Sequence, residues 1–271
     1  MGLRGDNRAA EGVEAGAGDA RGAAQAASGP VKPLPDYRDF DKLKLLTVVE
    51  GLLVNETPLR VGVGREPPLG SAVDIAPLRI SIRGRSVPYI PGSSLKGSLR
   101  SLAESIARAQ GYSIHDPWDW VAIEREKDSL DFCVICGIFG STYLAGHVKV
   151  YDAYPVGEPP LFVKTGVGIS RDFRGVKPGI LYTEEQVAPG VEWAFRMDVI
   201  NIKLFPEPEE ERGRLLRQLL DFLQQGMVQV GARKTIGYGL LKLVKGEYKV
   251  YEIRDGRLEV TLRGAIGGGS R

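Results

Sequence analysis

Two stretches of the chain have the apolar spacing of an amphipathic helix, and strand-like segments stand before and after each of them. In the first, Leu95, Leu99, Leu102 and Ile106 recur every three or four residues and would share one helix face. The second is "EEERGRLLRQLLDFLQQG" (209–226), whose leading acids suit the positive end of a helix dipole. The order strand, helix, strand-rich middle, strand, helix, strand predicts an α+β fold with a ferredoxin-like core.

The rest of the chain predicts one domain preceded by a tail. Residues 1–36 are rich in Ala and Gly, and "EGVEAGAGDARGAAQAASG" within them contains no aromatic residue, which predicts a disordered tail. We expect a single domain over 37–271, because 43% of the chain is hydrophobic and can bury a substantial core. Within it, 112–140 should be an irregular insertion after the first helix, and 162–190 a long hairpin with a basic tip.

Smaller features refine this expectation. The Val- and Leu-rich residues 43–64 predict one long strand, or two strands broken near Asn55. The proline- and glycine-rich segment that follows should be mostly loop, with a short hairpin around Arg79–Arg85. No apolar run approaches the roughly 20 residues that span a bilayer, so we expect a cytoplasmic protein without membrane contact.

The stretch "PYIPGSSLKGSLRSL" (88–102) predicts an anion-binding helix start. With Ser93 or Ser94 as N-cap, the first amides of the helix would point outward, as in phosphate sites. Lys96 and Arg100 are four residues apart and share a face, and Gly97 between them would admit a close backbone. The alternative is an ordinary capped helix with a solvated basic face.

The surroundings favour a nucleic-acid backbone as the anion. Residues 60–100 contain seven basic and two acidic residues, although the net charge of the whole chain is only +2. A local basic patch in a nearly neutral chain is the pattern expected of a phosphate-binding surface.

Four ordered blocks resemble the RAMP superfamily, the repeat-associated proteins of CRISPR effector complexes. They are "IPGSSLKGSLRSL", "CGIFGS" followed by "AGHVKVYDA", "GVGISRDFRGVKPGILYTEEQVAPG" and "VGARKTIGYGLL". The resemblance covers roughly 43–245, and the third block is similar to the hairpin of backbone subunits of type III complexes. It implies a modified RNA-recognition fold that polymerises along a guide RNA and presents it to target RNA.

The resemblance also implies which residues bind RNA. The hairpin would act as a thumb that wedges between nucleotides, with Phe173 as the wedge. Tyr238 could stack on a base, although for Tyr238 alone a core tyrosine beside turn glycines is the favoured explanation. The full set of expected RNA contacts is Arg79, Arg83, Ser93, Ser94, Lys96, Gly97, Arg100, Arg171, Phe173, Arg174, Arg233, Lys234 and Tyr238.

Asp74, in "GSAVDIAPLRI", is the candidate for catalysis. RNA supplies its own nucleophile, the 2′-hydroxyl, so one carboxylate can assist as a base or hold a divalent metal such as Mg²⁺. In cleaving backbone subunits an Asp occupies this kind of loop upstream of the first helix. The alternative is an Asp74 that pairs with Arg79 or Arg83 in a subunit without activity.

Cys133 and Cys136, together with His115, predict a zinc site in the insertion. The C-x-x-C spacing suits two thiolate ligands, and some family members bind zinc there. A fourth ligand would come from His147, Asp116, Asp119 or water. The alternative is a pair of small, partly buried residues beside the turn at Phe139.

These observations predict a guide-RNA-binding backbone subunit of a type III complex. Its partners would be guide RNA, target RNA, further copies of itself and other effector subunits. The alternatives are a catalytically inactive structural subunit, a stand-alone endoribonuclease that processes precursor guide RNA, and a general RNA-binding protein with an aromatic sheet. The scarcity of histidine argues against the second, and the missing aromatic sheet motif against the third.

Overall fold

The structure is a computed structural model and describes residues 37–62 and 73–266. The predicted tail therefore lies outside the described residues, as does most of the segment before Asp74. In chain order the elements are β1 (Leu45–Asn55), β2 (Arg79–Ile82), β3 (Arg85–Pro88), α1 (Gly92–Ala109), α2 (Trp120–Ser129), α3 (Val134–Phe139), β4 (Val148–Val150), β5 (Leu161–Ile169), β6 (Val176–Val187), β7 (Glu192–Ile200), α4 (Glu211–Gln224), β8 (Val228–Gln229), β9 (Leu240–Arg254) and β10 (Arg257–Ile266).

The protein is a mixed α/β fold built on one antiparallel sheet. Its strands lie in the order β10, β9, β1, β7, β4, and the short β8 pairs with β9. The central strand β1 pairs with β7 on one side and β9 on the other. Strand β1 ends at Asn55, whose buried side-chain amide donates to the carbonyls of Thr57 and Ala188 and accepts from the indole of Trp193. The predicted break near Asn55 is confirmed.

The two predicted helices, α1 and α4, pack together in the core. α1 buries Leu95, Leu99, Ala103 and Ala107, which are four residues apart and form one stripe. The buried leucines of α4 belong to the same core cluster, which also includes side chains from β1 and β7. No helix of the described residues is long and apolar enough to cross a membrane.

The insertion is more regular than the sequence indicates. It contains α2, which is capped by the Asp119 carboxylate accepting from the Ala122 amide, and the six-residue α3. α2 ends at Leu130 in the left-handed conformation. The expectation of an irregular 112–140 segment is therefore wrong, because a side-chain cap closes the start of α2.

Two hairpins lie outside the main sheet. β2 and β3 form the short one, and its turn residues Arg83 and Gly84 both have positive φ, as a tight two-residue hairpin requires. β5 and β6 form the long one, between the ends expected from the sequence. Its base joins the body through a backbone bridge between Leu59 and Val187, and a second between Ile75 and Glu184.

Candidate nucleic-acid interface

The outer side of α1 and the glycine-rich loop 231–239 lie side by side. Lys234 Nζ, on the loop, donates a 3.4 Å hydrogen bond to Ser98 Oγ on α1. Gly97 is exposed with open space beside its Cα, so another backbone can approach it closely. The surface formed by Lys96, Gly97, Ser98 and Lys234, here called the α1 face, unites three residues predicted to bind RNA.

Lys96 is the half-buried cation of the α1 face. Burial lowers its pKa, and the nearby charge of Arg100 lowers it further. No carboxylate of the described residues makes an ion pair with its ammonium group. A phosphate placed here would offset both the desolvation and the repulsion, which is the physical requirement of an anion site.

The start of α1 differs from the prediction. Its N-cap is Pro91, not Ser93 or Ser94, and no side chain caps it from within. Instead, the Gly92 amide donates a 2.8 Å hydrogen bond to Asp152 Oδ1. A carboxylate therefore already lies at the helix end, and a second anion there would be repelled. Ser93 is exposed and Ser94 half-buried, so both stay candidate contacts beside this end.

Arg100 is directed across the helix rather than outward. Its Nε donates to Glu104 Oε1 at 2.9 Å, and Nη1 donates to the Gly140 carbonyl at the same distance. The side chain thus ties α1 to the loop 140–146.

Arg233 was predicted to contact RNA, but it contacts the base of the long hairpin. Its Nε lies 2.6 Å from Glu184 Oε2, and Nη2 donates a 2.6 Å hydrogen bond to Tyr182 OH. Arg60 Nε donates to the other oxygen of Glu184, also at 2.6 Å. This buried Arg60–Glu184–Arg233 triad was not foreseen, because nothing in local spacing shows which acid a basic loop residue will meet.

A cavity of about 250 Å³ lies between the glycine-rich loop and the hairpin base. Lys164 Nζ donates a 2.9 Å hydrogen bond to Tyr238 OH and stands over the tyrosine ring. Arg233 and Tyr182 line the same cavity. One face of Tyr238 is therefore covered by a cation, so stacking of a base there requires Lys164 to move.

The outer half of the long hairpin has no apolar core of its own. Phe173 at the tip is 63% exposed, and Arg171 and Arg174 beside it are also exposed. Large apolar side chains are exposed along both strands: Val163, Val167, Ile169, Val176, Ile180 and Leu181. An isolated two-stranded hairpin is marginal in water, and this one leaves its apolar side chains to solvent.

Asp74 lies beside β6 and contacts neither of the arginines considered as its partners. Its Oδ2 accepts hydrogen bonds from the amide and hydroxyl of Thr183, at 2.6 and 3.0 Å. The amide bond and then the hydroxyl bond lower the pKa of the exposed Asp74 carboxyl. Arg79 pairs with Glu185 at 2.6 Å, and Arg83 is exposed in the turn of its hairpin.

His115, Cys133 and Cys136 converge in the insertion, and Glu126 joins them. The ligating atoms of these four side chains all lie within 4.8 Å of one another. Cys136 Sγ is 3.4 Å from His115 Nε2, which is 2.9 Å from Glu126 Oε1. A hydrogen bond from Cys136 lowers the pKa of Cys133 to about 7. The set is chemically suited to zinc, which binds thiolate, imidazole and carboxylate tetrahedrally.

The fourth residue of this cluster is not one of the fourth ligands that the sequence suggested. His147 is fully buried with its Nε2 2.7 Å from Asp39 Oδ1, Asp116 pairs with Arg108, and Asp119 caps α2. Glu126 is buried, and its Oε2 has no hydrogen-bond partner in the described residues. A buried carboxylate oxygen without a partner is costly, because burial removes the water that would otherwise solvate it.

The structure is a mixed α/β fold in which Lys96 of α1 and Lys234 of the glycine-rich loop share one basic surface. The family model of the RAMP superfamily matches residues 53–242. The chain belongs to the RAMP superfamily. No curated protein matches it. The resemblance seen in the sequence is confirmed at the level of the superfamily, and membership supports a CRISPR-associated, RNA-binding function.

Proposed function

We propose that the protein is a guide-RNA-binding backbone subunit of a type III CRISPR effector complex. The observation that carries this proposal is the α1 face, where Lys96, which has no acidic partner within residues 37–62 and 73–266, meets the open Gly97 and Lys234. The face offers charge and close backbone approach but few groups that read bases. That suits a protein which leaves sequence recognition to pairing by the guide.

Two further features support the proposal. The strand order β9, β1, β7, β4, with α1 between β1 and β4 in the chain and α4 between β7 and β9, supports the ferredoxin-like core that we propose. The long hairpin exposes apolar side chains on both strands and carries Phe173 at its tip. It would be stabilised by inserting against RNA and a neighbouring copy.

RNA binding by the α1 face is expected to depend strongly on salt. Lys96→Gln and Lys234→Gln should each weaken binding of single-stranded RNA and reduce the slope of log affinity against log salt by about 1. The measurement is a binding titration at several salt concentrations. Lys245→Gln, an exposed lysine of β9, is the matched control and should leave the slope unchanged. A salt-insensitive affinity that differs widely between RNA sequences would contradict the proposal.

We further propose that Asp74 assists cleavage of the paired target RNA. The target 2′-hydroxyl would lose its proton to solvent and attack the adjacent phosphorus, the bond to the 5′-oxygen would break, and that oxygen would take a proton from solvent. The lowered pKa makes Asp74 a weak proton acceptor. The proposal therefore rests on an ionised Asp74 carboxylate that is held beside the long hairpin. One carboxylate can hold Mg²⁺ only where RNA phosphates supply further ligands. The Asp74 oxygen available for such a metal is Oδ1, which is not bound to Thr183.

Asp74→Ala is expected to slow single-turnover cleavage by about a hundredfold or more, with target binding nearly unchanged. The products should carry a 2′,3′-cyclic phosphate, because the nucleophile belongs to the RNA. The experiment compares assemblies of wild-type and variant subunits with guide RNA and Mg²⁺ at equal target occupancy. Asp221→Ala, an exposed acid of α4, is the control. Equal rates for Asp74→Ala and wild type would favour the inactive structural subunit.

The geometry disfavours a stand-alone endoribonuclease that uses histidine. The chain has two histidines, and both are described. His147 is fully buried against Asp39, and His115 belongs to the four-residue cluster. Neither is free to act on an RNA substrate.

The third proposal is that His115, Glu126, Cys133 and Cys136 hold a structural zinc ion. All four ligands come from the protein, which is typical of a structural rather than a catalytic site. Zinc bound here would join the segment before α2, α2 itself and the start of α3.

A further inference from the structure

A cleft of about 430 Å³ lies beside the α1 face, between α1, the segment 115–118 and the loop 140–146. Its lining includes Arg100 on one side, Trp118 and Ile123 on another, and the loop backbone from Gly140 to Gly146. The volume falls in the range of small-ligand sites. The functions proposed above make no use of this cleft.

Trp118 is the most exposed large apolar side chain among the described residues. It is 79% exposed at the cleft, although an indole ordinarily contributes much of its area to a core or an interface. An exposed aromatic ring at the edge of a cleft offers a flat face on which a base can stack.

Two cations lie at the same cleft. Arg100 lines it, and Lys96 reaches its far side, since a Cβ added to Gly146 would lie 3.0 Å from Lys96 Nζ. The nearby acids are already engaged: Glu104 pairs with Arg100, and Asp116 with Arg108. Because Glu104 balances the charge of Arg100, Lys96 supplies the positive charge that favours an anion at the cleft.

The walls of the cleft are fixed before anything binds. Arg100 Nη1 donates to the Gly140 carbonyl, and the Ser141 amide donates to the Leu144 carbonyl at 2.8 Å. On the other side, Lys127 of α2 stands 5.0 Å from the ring centre of Tyr143 and so links the insertion to the loop. A preformed site loses little conformational freedom on binding.

We propose that this cleft holds one nucleotide of the bound RNA, with its base stacked on Trp118 and its phosphate at Lys96 and Arg100. The proposal rests on the RNA-binding function above and adds a stacking site in the insertion to it. Charge complementarity distinguishes this occupant from an apolar protein segment, because the cleft combines one aromatic face with two cations and a polar loop backbone.

The test is a fluorescence and affinity titration of the full chain with an oligouridylate of about ten nucleotides. Wild type should show quenching of tryptophan emission on binding. Trp118→Ala should weaken affinity by about tenfold, Trp118→Phe should restore part of it, and both should lose most of the quenching. Trp120→Ala is the matched control, because Trp120 is 58% exposed but does not line the cleft.

Each of the other outcomes would contradict the proposal and would identify which part of it fails. If wild type and Trp118→Ala bind equally, the cleft holds no nucleotide, while the RNA-binding function stands. If wild type fails to bind any RNA, the RNA-binding function fails with it. If Trp118→Ala changes only the oligomeric state, the exposed ring serves a protein contact. Because Trp118 is exposed, an unchanged melting temperature shows that the variant is folded.

Discussion

Glu184→Gln is expected to lower the free energy of unfolding by about 3–5 kcal/mol, which is the usual cost of removing one partner from a buried ion pair. Glu184 is 2% exposed, and its two oxygens contact Arg60 and Arg233 at 2.6 Å each. Arginine keeps its charge at any accessible pH. The substitution would therefore leave the Arg60 guanidinium, which is 10% exposed, without a counter-charge. Equilibrium denaturation in urea gives the measurement.

The neighbouring Glu185 provides the matched control. It pairs with Arg79 at the same 2.6 Å distance, but both side chains are more exposed, at 20% and 32%. Glu185→Gln should therefore cost no more than about 1 kcal/mol. A double variant with Arg60→Leu and Glu184→Met should recover much of the loss, since it removes the two most buried charges together and leaves only the part-exposed Arg233 unpaired. Equal effects of Glu184→Gln and Glu185→Gln would show that burial of the triad does not determine stability.

The triad has a functional consequence beyond stability. Arg60 follows β1, Glu184 lies in β6 and Arg233 belongs to the glycine-rich loop, so one buried acid fixes the loop and the long hairpin to the body. Lys234 follows Arg233 directly and reaches α1. Glu184→Gln should therefore also weaken RNA binding through Lys234, without altering any residue of the α1 face.

The periodic elements of the fold could be predicted from the sequence, because burial on one helix face leaves a regular apolar pattern. α1 and α4 were found in this way, although α1 buries Ala103 and Ala107 more fully than Leu102 and Ile106. α2 and α3 have only 10 and 6 residues, too few to show a clear period. β10 was missed because most of its residues are exposed at the sheet edge and alternate weakly.

The candidate site residues that could be predicted are likewise those that belong to a regular local pattern in the sequence. Lys96, Gly97 and Lys234 were predicted together because a basic helix and a glycine-rich loop are local patterns, and the fold brings them side by side. Glu126 could not be predicted, since no spacing relates an acid of α2 to the cysteine pair. The ion pair of Arg233 with Glu184 could not be predicted, because an inward ion pair and an outward phosphate contact call for the same residue type in the same loop.

Purified protein is expected to contain about one equivalent of zinc, and Cys136→Ser should reduce it to near zero. Four protein ligands bind zinc with a free energy that contributes directly to folding, so loss of the ion should also lower the melting temperature. In the proposed site, Cys133, Cys136 and His115 would supply three ligands and Glu126 the fourth. Glu126→Gln should weaken zinc binding by at least about tenfold, since even residues outside the ligand shell typically change affinity by 10–100-fold.

Asp116→Asn is the matched control for zinc binding, because Asp116 lies next to His115 but pairs with Arg108. This variant should keep the full zinc content. That result would show that zinc binding depends on the carboxylate of α2 and not on the other acids of the insertion. The measurements are metal analysis of protein purified without added zinc and thermal unfolding before and after chelation. Without the ion, Glu126 Oε2 remains a buried oxygen with no partner among the described residues. Metal-free protein whose melting temperature does not change on chelation would reduce the cluster to two partly buried cysteines beside a histidine.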